Sequence, residues 1–76
     1  MTQGLIDTFT HKHDRLLMET VGKRFVVTSV QVVRADVKWV SESVVDTLQE
    51  ASKIFADQKQ CILKHGRCKG QNNYIR

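Results

Sequence analysis

Proline is absent from the chain, which excludes Pro-rich linkers and stalks. Cysteine occurs only as Cys61 and Cys68, too little for the disulfide framework that stabilises many small secreted domains. Apolar runs end within three or four residues, far short of the roughly 20 needed to span a bilayer. The opening MTQGLIDTFTHKHD has no basic n-region followed by an apolar h-region, so no secretory signal is expected. Asp7, Asp14 and Glu19 also argue against an amphipathic targeting segment. A reducing, cytoplasmic setting is therefore the expectation. Paired carboxylates, a phosphate-cradling glycine loop, a CxxC pair and a Ser-His-Asp set are all missing, which speaks against an enzyme.

What the chain does have is valine. Nine of its ten valines fall between Val26 and Val45, in FVVTSVQVVRADVKWVSESVV, a block too β-branched for a helix and too apolar to leave in water. At 76 residues the chain is one domain of marginal size, the kind that gains stability from a metal, a disulfide or a partner. Charge is uneven. Residues 1–57 carry seven basic and eight acidic side chains, whereas residues 58–76 carry Lys59, Lys64, Arg67, Lys69 and Arg76 and no acid, giving −1 against +5.

Helical spacing predicts a first helix over residues 3–21, with Leu5, Ile6, Phe9, Leu16 and Leu17 in one arc, Thr2 as N-cap and Gly22 as its stop. His13 falls inside that arc and is read as a half-buried ring. Residues 25–33 predict a strand with Val26, Thr28, Val30 and Val32 on one face and Phe25, Val27, Ser29, Gln31 and Val33 on the other. Residues 37–41 predict a second strand. The link between the two has no Gly, Asn or Pro, although a hairpin is the simplest closure. Residues 43–64 predict a second helix, led by Ser43 and Asp46 and stopped by Gly66. Val44, Val45, Leu48, Ala51, Phe55, Ile62 and Leu63 share its apolar arc, and Ile54 and Cys61 form a narrower stripe seven residues apart. The expected fold is α+β: two amphipathic helices flanking a central β-hairpin (αββα). Residues 1–65 form the domain and residues 66–76 a flexible basic tail.

Cys61-x3-His65-x2-Cys68 has loose zinc-ligand spacing, but a closed structural site needs a fourth ligand, so no metal or other cofactor is expected. Cys68, between Arg67 and Lys69, is placed for a lowered thiol pKa, yet no third residue orients it for catalysis. The expected function is a non-catalytic assembly subunit that oligomerises or docks on a protein partner. Its contact residues would be Val27, Val33, Trp39, Ile54, Tyr74 and Ile75. Nucleic acid is the alternative partner, through Lys59, Lys64, Arg67, Lys69 and Arg76 with Tyr74 stacking on a base. A zinc-stabilised module is a weaker alternative, and no membrane partner is expected. Gly22-Lys23-Arg24, Ser43-Val44-Val45-Asp46 and the closing Tyr74-Ile75 slightly resemble the small head-completion proteins of lambda-type phages, without their Gly-containing hairpin turn. That resemblance implies an αββα fold inserted as a ring of copies between a portal and a tail.

Overall fold

The computed structural model describes residues 3–64 and 68–76. Four strands, β1 (Gln3–His11), β2 (Asp14–Val21), β3 (Arg24–Arg34) and β4 (Val37–Val45), precede one helix, α1 (Leu48–Leu63), and a last strand, β5 (Asn72–Ile75). They form one antiparallel five-stranded sheet in the order β1-β2-β3-β4-β5. The helix lies across one face.

The expected pair of helices flanking a hairpin is thus corrected, and with it the αββα order that the phage-protein resemblance implied. The segment predicted as a first helix is a hairpin. Thr8, Thr10, Thr20 and Val21 favour extended backbone, and Leu16 and Met18 point inward while Leu17 and Glu19 point outward. The alternation is hidden in β1 by a register shift between Leu5 and Asp7, a bulge centred on Ile6. The turn carries no glycine. Lys12 itself takes φ 56° in the loop that closes on the His11–Asp14 pair. Gly22, predicted to end a helix, does supply left-handed backbone, at φ 62°, but in the β2–β3 loop closed by Val21 and Arg24.

β4 continues four residues beyond its predicted end, because Ser41, Ser43 and Val45 keep alternating inward opposite Ser29, Val27 and Phe25. The helix then starts later than predicted. Its N-cap is Thr47, whose Oγ1 accepts from the Glu50 N–H at 3.2 Å and donates to Glu50 Oε1 at 2.9 Å, in place of the predicted Ser43/Asp46 start. Ala51, Phe55, Gln58 and Ile62 make its buried stripe. They meet Leu16, Met18, Val27, Val45 and Cys68, with Phe9, Phe25, Ile54 and Cys61 packed alongside. Ile54 and Cys61 are thus partly buried against the chain's own core. The predicted cap Thr2, stop Gly66 and candidate residues His65 and Arg67 lie outside the described residues.

The flexible tail is corrected as well. Cys68 is buried, its N–H donating to Gln31 Oε1 at 2.8 Å while its carbonyl accepts from Trp39 Nε1 at 2.7 Å. Gln58 Nε2 donates to the Lys69 carbonyl at 2.9 Å. Gly70 and Asn73 exchange two backbone-to-side-chain hydrogen bonds at 2.9 and 3.0 Å, and β5 then pairs with β4. Polar side chains and backbone hold this segment, so it shows no apolar period.

Candidate functional site

Two faces of the sheet differ sharply. The inner one carries Phe9, Leu16, Met18, Phe25, Val27 and Val45 beneath the helix. The outer one presents side chains in rows across the strands, and no described segment crosses it. One row runs Arg15–Val30–Val40–Tyr74 and the next Leu17–Thr28–Glu42–Asn72. A third runs Glu19–Val26–Val44. At the far end Lys38 and Arg76 exchange backbone hydrogen bonds at 3.1 and 2.8 Å beside Val32. Val40, at the centre between Val30 and Tyr74, is 1% exposed, whereas Val32 is 37% exposed. A shallow open concavity of about 980 Å³ occupies the corner between Arg15, Val30, Val32, Asp36, Lys38 and Arg76. The Glu42 carboxylate near the Tyr74 hydroxyl raises the Tyr74 pKa.

The centre of this surface is thus aliphatic and its ends are charged. Among the described residues the one ion pair is Arg24–Asp46 at 3.4 Å, between well-exposed side chains, and Arg15, Glu19, Lys38 and Glu42 form none with another described residue. The free edges suit assembly less well. β1 is bulged and β5 is four residues long, both features that discourage edge-to-edge pairing.

The predicted contact residues separate. Val27 is 2% exposed and lies under the helix, on the face opposite the open one. Val33 is exposed at the β3 end, in the register shift between Val32 and Arg34. Trp39 is a half-buried inner residue tied to Cys68, and Ile54 packs on the core. Of the closing pair, Tyr74 stands on the outer face beside Val40 and Ile75 on the inner side beside Trp39. Those of the predicted basic residues that are described do not form one patch. Lys59 sits over the Phe9 ring at 4.9 Å at the β1 edge, Lys64 is exposed as the helix C-cap, and among the described ones only Arg76 reaches the outer concavity. Arg15 and Lys38 join it there, and sequence reasoning missed both. The signal was present in Arg15-x-Leu17-x-Glu19 and Lys38-x-Val40-x-Glu42, each an alternating cation, aliphatic and carboxylate.

The Cys68 thiol is not activated by its basic sequence neighbours. Burial first, then the neighbouring Cys61 thiol, push it up to about 12 from 9.0, and its Sγ donates to the Gln58 carbonyl at 3.5 Å. A thiol in that state is a packing group, not a nucleophile. Among the described residues no helix is long and apolar enough to cross a membrane. Comparison with protein-family models, with curated proteins and with solved structures finds no match.

Proposed function

We propose that this chain is a non-catalytic assembly subunit of a reducing compartment that docks on a protein partner through the open face of its sheet. One observation carries the reading. The helix covers one face, while Leu17, Val26, Val30, Val32 and Val44 line the other with no described segment over them. Aliphatic side chains in the middle and charges at the rim are the composition of a docking patch. Arg15, Lys38 and Arg76 beside Tyr74 also favour a second reading, a nucleic-acid surface on this same face.

The double change Val26→Thr with Val44→Thr tests the first reading, since both residues are half-buried and Thr28 already occupies the same face. Size analysis of the tagged full chain in extract of its native source should place the wild type in a complex and the variant outside it. Urea unfolding of the two purified chains should differ by no more than about 1 kcal/mol. Wild-type chain that runs free at 8.7 kDa, both pure and in extract, would end the proposal. Capture by any polynucleotide with a steep salt slope would transfer it to the second reading.

A further inference from the structure

We infer that Cys61 and Cys68 are a thiol pair that a small-molecule disulfide closes into a reversible disulfide within the chain, a site of oxidative modification between α1 and the segment entering β5. The geometry comes from Gln58. Its backbone carbonyl accepts from Cys68 Sγ at 3.5 Å, and its side-chain Nε2 donates to the Lys69 carbonyl at 2.9 Å. The turn of α1 that holds Gln58 therefore lies against residues 68 and 69. Cys61 stands at i+3 from Gln58 on the helix, and residues at that spacing are neighbours on one face. A helical side chain leans back toward the N-terminus, which carries Cys61 over the Gln58 turn. Cys61 is also partly buried against the core that contains Cys68. The two thiols thus border one carbonyl, and Cys61 helps Cys68 to hold its proton. Bonds from Cys68 to Gln31 Oε1 and Trp39 Nε1 fix its backbone in that place.

Exposure divides the roles. Cys68 is 1% exposed, packed and protonated in the reduced fold, whereas Cys61 is partly open to solvent. An oxidant therefore meets Cys61 first. The Cys61 sulfur, having released its proton, attacks one sulfur of the small disulfide. A Cys61 mixed disulfide forms, the small disulfide's own S–S bond breaks, and the departing thiolate takes up the proton. The Cys68 sulfur then attacks the Cys61 sulfur and the second small thiolate leaves with the Cys68 proton. Two protein thiols are oxidised and one small disulfide is reduced to two thiols. In a reducing compartment the pair rests open and the bond is the transient state.

Closure ties the end of α1 to the residues that lead into β5, a strand of four residues. A crosslink of this kind restricts the unfolded chain and stabilises the folded one.

The test uses the purified full chain, reduced, desalted and incubated with glutathione disulfide, with remaining thiols alkylated before peptide mass analysis. Wild type should gain one glutathione on Cys61 and then lose it as a Cys61–Cys68 bond forms within one chain. Its melting temperature should rise by at least about 5 °C and return on adding dithiothreitol. Cys68→Ala should stop at the glutathione adduct, and Cys68→Val, which keeps more of the buried volume, serves if the alanine variant fails to melt cooperatively. Folded Cys61→Ser should react at less than about a tenth of the wild-type rate, because only the buried thiol remains. A wild-type chain that keeps its glutathione, that crosslinks only to a second chain, or that melts lower once closed would overturn the pair. Reaction of folded Cys61→Ser at the wild-type rate would overturn the assignment of Cys61 as the entering thiol.

Discussion

Replacing Gly70 by alanine should destabilise the protein out of proportion to one methyl group. A Cβ at this position would lie 2.6 Å from both Ser41 Oγ and Ser43 Oγ and 2.9 Å from the Glu42 carbonyl. The carbonyl belongs to β4 backbone and cannot rotate aside, so the 68–71 segment must lift from the sheet. Overpacking of this kind costs about 1–3 kcal/mol. The lift also stretches two hydrogen bonds, Gln71 N–H to Ser43 Oγ at 3.2 Å and Val44 N–H to Gln71 Oε1 at 3.0 Å. Each such bond contributes about 1 kcal/mol. The expected loss is therefore about 2–4 kcal/mol, against a total of roughly 4–11 kcal/mol for a domain of 76 residues. Urea unfolding followed by Trp39 fluorescence measures it, and Trp39 Nε1 reports directly because it donates to Cys68. Adding Ser41→Ala to Gly70→Ala should recover part of the loss, with a coupling of at least about 0.5 kcal/mol. The Ser41 hydroxyl is buried without a hydrogen-bond partner among the described residues, so its removal alone costs little. A Gly70→Ala chain within about 0.5 kcal/mol of wild type would refute the close approach.

Two further perturbations separate the faces of the sheet and the state of its buried thiol. Val27→Thr places a hydroxyl in the core and should lower stability by about 1–3 kcal/mol, whereas Val33→Thr, at an exposed position, should change it by less than about 0.5; equal denaturation midpoints for the two variants would contradict the assignment of faces. The Cys68 thiol, held up to about 12 in the fold, keeps its proton where the unfolded chain has lost its own, above about 9.0. Its contribution is complete below that pH and falls as pH rises toward 12, with a limiting slope of about 1.4 kcal/mol per pH unit. Cys68→Ala should lack this component, and wild-type and variant stability curves that run parallel above pH 9.0 would exclude it.

β3, the start of β4 and the body of the helix were legible because each keeps a single period over its length. Residues 3–21 were not. The bulge at Ile6 breaks the two-residue alternation of β1, and the turn at Lys12 is made by a lysine in left-handed backbone instead of a glycine. What remained, Leu5, Ile6, Phe9, Leu16 and Leu17, fits a helical arc by position alone. The loss carried over to the candidate surface. On a helix Arg15, Leu17 and Glu19 point in three directions, and only on a strand do they share one face with Lys38, Val40 and Glu42. The last segment misled for a different reason. Glycine and asparagine there signal looseness by composition, but Gly70 is needed for contact with Ser41 and Ser43, and Asn73 fastens the turn.

The serial meander also has a consequence for how the molecule assembles itself. Each of the first three strand pairs joins neighbours across a loop of two residues, between His11 and Asp14, Val21 and Arg24, and Arg34 and Val37. Such contacts close with little loss of chain entropy, on the timescale of hairpin formation. The β4–β5 pairing instead spans the whole helix, from Val40 to Tyr74. The four-strand ribbon and helix can therefore form before the last strand arrives. That strand is also the first to come away, through openings in which only its own amides and those of the β4 residues facing it exchange with solvent.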